Sequence, residues 1–216
     1  MSTNPFWSCI PYLGSCLECM QGPSFSATAS YSQMTNLIPQ PIRLDTSRCG
    51  KDVVILKEGE RICGTGAALG TLPIVQNKAY FQVNVQQSGY FVMNVYIKEF
   101  GGVGLGNLHS ILDEIPVSTN FWGVRENGDV VANGVLIGKL SKAISDGDSV
   151  GVCYDHIELN FLVNGERTVP TITGVKGPVY PIVFVDDSAI LDVKFRRFTE
   201  DPPSGYGEIL AEQTLL

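Results

Sequence analysis

The sequence predicts an all-β protein: a β-sandwich of two packed antiparallel sheets, preceded by a flexible tail and followed by a short C-terminal helix. Three observations carry this. Apolar residues alternate over short runs. In DSVGVCYDHIELNFLVNG at 148–165, Val150, Val152 and Tyr154 alternate with smaller residues. Ile157, Leu159, Phe161 and Val163 then alternate with Glu158, Asn160, Leu162 and Asn164. A period of two marks strands, because successive side chains point to opposite faces. Turn dipeptides punctuate such runs at roughly the 8–12-residue spacing of a sandwich. Helical periodicity is scarce, so parallel strands would lack the crossovers that join them.

A chain of 216 residues, 44 % hydrophobic, suits one large domain or a medium domain with tails. A net charge of −7, a pI near 4.8 and the lack of a basic run argue against a nucleic-acid partner. No apolar run approaches the roughly 18 residues of a spanning helix. The N-terminus lacks the basic-then-apolar order of a signal peptide, and there is no Asn-x-Ser/Thr sequon. The expected location is therefore cytoplasmic. The six cysteines are then expected as thiols. Cys63 and Cys153 sit in strand-like contexts and read as small core residues. No cofactor, metal or small-molecule substrate is expected.

In chain order, residues 1–44 form a tail, 45–200 the folded domain and 201–216 a segment docking on it. The tail from 21 to 44 is rich in Ser, Thr, Gln and Pro and has no sustained period. Strands are expected at 52–56, 61–66, 78–87 and 90–98. Phe100–Ser110, carrying Gly101, Gly102, Gly104 and Gly106, reads as a long loop. Further strands follow at 121–126, 129–132, 148–154, 157–163, 178–185 and 189–198. Asn127-Gly128 and Asn164-Gly165 suit hairpin turns, and the latter predicts a third strand after it. Leu108–Ile115 is expected to make a turn or two of helix. Tyr206–Leu215 carries apolar residues at helical offsets and is expected to be the C-terminal helix.

Four blocks, in order, resemble the SPRY/B30.2 domain family. They are Lys78-Ala79-Tyr80-Phe81-Gln82-Val83; Phe121-Trp122-Gly123-Val124-Arg125 with Asn127-Gly128; Asp148–Val152 with Asp155, Leu159-Asn160-Phe161 and Asn164-Gly165; and Pro178-Val179-Tyr180-Pro181. The resemblance covers roughly residues 50 to 198. More narrowly, RICGTG at 61–66, YDHIELN at 154–160 and VYPIVFVDDSAILD at 179–192 resemble one member of that family. The chain also departs from the pattern. The strand after Gly89 usually carries Trp then Gly, and here those positions resemble Phe91 and Asn94. Residues 101–106 resemble an insertion.

The resemblance implies a non-enzymatic protein-interaction adaptor that recognises a peptide through sandwich loops. It puts the loop Asp186-Asp187-Ser188 at the border of the ligand-binding face, beside the loop carrying Gly102 and Gly104. Two carboxylates at a rim would select a basic peptide, or exposed amides, by charge-assisted hydrogen bonds. The plain alternative is a tight acidic turn. Catalysis finds little support. His109 and His156 have no nucleophile signature nearby, and Gly102-x-Gly104-x-Gly106 lacks dinucleotide spacing. Cys9, Cys16 and Cys19 admit three readings: unmodified thiols, a zinc pair through Cys16-x-x-Cys19 whose second pair is missing, or S-acylation. Acylation would make the protein peripheral to a membrane, with Phe6, Trp7, Ile10, Tyr12 and Leu13 beside the acyl chains. Ser2 excludes myristoylation. Two further classes stay open: a structural subunit of a larger assembly, and a lectin-like small-ligand sandwich that would need Trp122 as its platform.

Overall fold

The computed structural model describes residues 41–88, 101–186 and 189–211. Fourteen strands form among them: β1 Leu44–Cys49, β2 Asp52–Leu56, β3 Arg61–Gly70, β4 Ala79–Gln87, β5 Gly101–Gly106, β6 Phe121–Arg125 and β7 Asp129–Ala132, then β8 Val135–Lys139, β9 Ser149–Tyr154, β10 Glu158–Val163, β11 Glu166–Arg167, β12 Ile172–Thr173, β13 Tyr180–Val185 and β14 Ile190–Lys194. All strand pairs are antiparallel, in the order β11-β10-β9-β4-β14-β3-β13-β5-β6-β7-β8, with β1 and β2 also on β3 and β12 on β10.

The path folds into two layers at β3. Its first half pairs with β2 and β14; its second half pairs with β13 and β1. The corner lies at Gly64 and Gly66, with φ of 91° and 133°. A Cβ at Gly64 would stand 2.2 Å from the Asp52 carbonyl oxygen. Only glycine turns the chain there, so RICGTG is the hinge that converts one sheet into a sandwich.

The main core lies between the layers, built from inward residues such as Phe81, Val83, Val124, Val152, Leu159 and Phe161. Each outer face also has a cover. Leu112 and Ile115 lie over Phe121, Ile182 and Phe184 on one side. Phe198 and Tyr206 lie over Tyr80, Cys153 and Leu162 on the other. Strands covered on both faces lose the alternation of a half-exposed strand. That is why YPIVFV in β13 reads as continuous apolar sequence.

Four expectations are corrected. Gly101–Gly106 is not a loop but β5, buried between β13 and β6. Its glycines permit close approach. A Cβ at Gly102 would meet the Phe184 ring at 2.3 Å, and one at Gly104 the Trp122 carbonyl oxygen at 2.1 Å. Residues 101–106 are therefore a central strand and no insertion. Leu108–Ile115 forms turns and bends rather than helix, its backbone tied to side chains: Asn107 accepts the His109 N–H, and Ser110 donates to the Asn120 carbonyl. No helix begins at Tyr206 among the described residues. The backbone runs extended, and Gly207 bridges Ala79. The Gln76 amide accepts the Leu210 N–H at 2.7 Å and donates to the Glu208 carbonyl at 2.7 Å, so groups a helix would use internally are already taken. The expected strand 90–98 lies outside the described residues.

Candidate functional site

β4 runs the length of one layer, about 30 Å for a strand of this length. Its two ends differ. At the Ala79 end the C-terminal segment closes the fold. β14 stops pairing β4 at Gln82, and Gly207 takes the next place, accepting the Tyr80 N–H at 2.7 Å. The fully buried Gln82 accepts the N–H of Thr199 and of Glu200. Tyr206 donates its hydroxyl to Asp155 at 3.3 Å, and Ile209 enters the main core. Asp155 also accepts the N–H of Ile157 and Glu158. Burial raises its pKa, and these bonds more than offset that, so the carboxyl lies below its ordinary value. His156 sits 2.9 Å from the Gln76 carbonyl oxygen through Nε2 and packs on Tyr154. Both residues of the Asp155-His156 pair hold the turn and the strap together.

The Gln87 end gathers the loop residues. Val185 pairs with Gly66 and Gly101, and Asp186 follows it, its carbonyl accepting the Ala189 N–H at 3.3 Å. Asp187 and Ser188 lie outside the described residues. Glu126 follows β6 and donates its N–H to the Gly101 carbonyl at 2.9 Å. Ser88 donates through backbone and hydroxyl to Asp146, and those bonds hold the Asp146 carboxyl below its ordinary pKa. Asp148 accepts the Asn164 amide and the Ser145 N–H, each at 2.9 Å. The Asn164 amide is the main cause of its lowered pKa. Asn164 also accepts the Ser149 N–H at 2.9 Å, so the hairpin turn braces the 145–149 loop.

The structure thus puts Asp186 on the same end of the sandwich as Glu126 and Asp146, which sequence reasoning missed. Asn127-Gly128 offered a signal for Glu126, because a hairpin turn puts its flanking residue at the end of the sheet. Asp146 had no such signal. Gly102 and Gly104 are near in sheet order but buried, so they present no loop backbone. Trp122 is 8 % exposed and points into the main core, which removes the platform of the lectin-like reading. Cys153 is buried, and desolvation pushes its thiol to about 12. Cys9, Cys16 and Cys19 lie outside the described residues.

No family model matches the chain. Solved structures share its fold. The SPRY domain of human HERC1 superposes with a TM-score of 0.55 at 17 % identity, covering 70 % of this chain and 96 % of that one. The TRIM65 PSpry domain gives 0.53 at 11 % identity, covering 71 % and 89 %. Such identities establish the fold alone. Among curated proteins the similarity is much stronger. SPRY domain-containing protein 7 of Gallus gallus is 39 % identical over 178 residues, 81 % of this chain and 86 % of that protein. The Homo sapiens protein of the same name matches equally, at 39 % over 178 residues. Identity at this level over most of both chains, on a SPRY β-sandwich, makes this chain a member of the SPRY domain-containing protein 7 family.

Proposed function

We propose that this protein is a non-enzymatic adaptor that recognises a peptide segment of a partner protein at the Gln87 end of the sandwich, around Asp186 and Asp187. SPRY domains are generally protein-interaction modules. One observation carries the choice of end: Asp186, Glu126 and Asp146 sit on loops at this end, braced by a rigid scaffold. At the other end, Gln76, the Gln82 side-chain oxygen and Asp155 bond the chain's own backbone. A carboxylate rim favours a basic segment, with charge-assisted hydrogen bonds supplying the contacts.

The adaptor works in the cytosol, peripheral to a membrane, through acyl groups on Cys9, Cys16 and Cys19. Two acyl chains give stable anchoring where one does not. The aromatic and aliphatic residues beside them support that placement.

Proximity labelling of wild type, Asp186→Ala/Asp187→Ala and a Cys9, Cys16, Cys19 to Ser variant tests both parts. The acidic-loop variant is expected to lose a set of partners, and the cysteine variant to leave the membrane fraction. An acidic-loop variant that keeps every partner ends the first part. A cysteine variant that stays membrane-bound, or a wild type that never is, ends the second.

The structural-subunit reading has its own support. β8 pairs only with β7 among the described strands, and it exposes Val135, Leu136 and Ile137, with Leu136 at 61 %. An apolar edge is a surface for permanent docking. A register shift beside Val130/Val131 and the cation of Lys139 blunt it.

A further inference from the structure

The C-terminal strap leaves β14 through Lys194-Phe195-Arg196-Arg197-Phe198-Thr199-Glu200. Two arginines stand three and two residues before a threonine. Kinases that select basic substrates read that spacing, because an acidic peptide cleft pairs both guanidinium groups while the hydroxyl reaches the nucleotide. Arg196 and Arg197 are exposed, and neither bonds another described residue. Asp192, the carboxylate of β14, is taken by Arg61 and Lys57. Thr199 is exposed as well.

The surroundings of Thr199 suit a phosphate. Its Oγ1 accepts from Lys194 Nζ at 2.9 Å and from Asn84 Nδ2 at 3.0 Å. A hydroxyl has two acceptor lone pairs, so both are used and the O–H points away from these donors. Lys194 also lines an open groove with Arg196 and Arg197. The carboxylates of that groove, Glu58 and Glu60, belong to the turn before β3, across β14 from β4 and Asn84. Glu200 directs its carboxylate to the Asn164-Gly165 turn, 3.4 Å from where a Cβ on Gly165 would lie. Asp201 is exposed, so solvent and salt screen its charge. The groups that bond Thr199 Oγ1 are thus an ammonium and an amide, with two guanidinium groups in the same groove as the ammonium.

The backbone at Thr199 is tied to the sheet. Its N–H donates to the buried Gln82 Oε1 at 2.8 Å, and Phe198 stands edge-on to Tyr80 with ring centroids 4.7 Å apart. A charge added at Thr199 therefore acts on how firmly the strap is held.

We propose that Thr199 is a phosphorylation site for an arginine-directed protein kinase, and that the phosphate tightens the strap on β14 and β4. In the transfer, Thr199 Oγ1 forms a bond to the γ-phosphorus of a nucleoside triphosphate. The bond from that phosphorus to the β–γ bridging oxygen breaks, the nucleoside diphosphate leaves, and the hydroxyl proton passes to the kinase's base. The phosphate brings a charge of about −1.5 to −2 and three acceptor oxygens, which Lys194, Asn84 and the arginines satisfy. The site is separate from the Gln87 end and stands or falls without the reading made there.

The test incubates the folded full chain with an arginine-directed kinase domain and magnesium ATP, and maps phosphate by mass spectrometry. Wild type is expected to carry phosphate at Thr199, and Thr199→Val to lack it there. Arg196→Ala/Arg197→Ala is expected to slow the reaction roughly tenfold or more. In the phosphorylated chain, amide hydrogen exchange at Thr199 and Glu200 is expected to slow roughly tenfold, the size of one charge-assisted hydrogen bond. Phosphorylated Lys194→Met is expected to lose most of that slowing, and so is phosphorylated wild type in molar salt.

A wild type left unmodified at Thr199 overturns the proposal, as does an equal rate for the double arginine variant. Phosphate that appears only when Tyr206→Ala undocks the strap overturns it too, because the native chain would then hide the hydroxyl. Exchange that is unchanged or faster in the phosphorylated chain, or slowed equally in Lys194→Met, overturns the tightening.

Discussion

The two ends of β4 are built from similar residues and put to different use. At the Ala79 end, Gln76, the Gln82 side-chain oxygen and Asp155 accept or donate to backbone groups of the C-terminal segment and its turn, while Gln82 Nε2 is buried without a partner among the described residues. At the Gln87 end, Asp146 and Asp148 brace loops, and Glu126 lies beside a narrow apolar crevice. The contrast shows why residue type alone misleads. Asp155-His156 offers the more tempting chemistry in sequence, yet it latches a strap.

The sharpest way to break the contrast is within β5. Gly104→Val puts a Cβ against the Trp122 carbonyl and should abolish cooperative urea unfolding, a loss of about 4 kcal/mol or more. Gly101→Ala, three residues away, meets only a 3.2 Å contact with the Phe184 carbonyl oxygen and should cost less, about 1–2 kcal/mol. At the strap end, Ile209→Ala should cost roughly 2–5 kcal/mol by emptying a core position. Partner capture should be unaffected there once the protein is folded, which urea melts and labelling together would check.

The next effect is pH-dependent. Asp148 has a lowered folded pKa, so its contribution is fully present above the unfolded carboxylate value near ~3.9. It is lost as pH falls through the lower folded value. Asn164→Gly removes the amide while keeping the positive φ of 52°. Melts at pH 6 should show a cost of about 1–2 kcal/mol, shrinking as pH falls below the unfolded carboxylate value and the unfolded chain takes up the proton first. The smallest stability effect belongs to Asp186→Ala, within about 0.5 kcal/mol, its consequence appearing in partner binding.

Much of the scaffold was legible because its causes are local. Alternation placed β4, β9 and β10, and Asn-Gly turns placed the hairpins around Asn127 and Asn164. β5 was misread because glycine-rich sequence has two opposite uses, flexible loop or close approach. Only Phe184 and Trp122 across the pairs decide between them. The C-terminal segment was misread because Gln76, distant in sequence, claims its backbone. The candidate site was half legible. Asp186 stood out between two apolar strands, but Asp146 and Glu126 join it through strand register, which no local pattern reports.

The most direct measurement compares the ends by photo-crosslinking. A photoreactive residue replaces Lys142, on the loop carrying Ile144 and Asp146, or Ile157, 73 % exposed beside the strap latch. The account predicts a discrete partner adduct from position 142, weakened by Asp186→Ala/Asp187→Ala, and no such adduct from position 157. An adduct from 157 alone would place the partner at the latched end and contradict it.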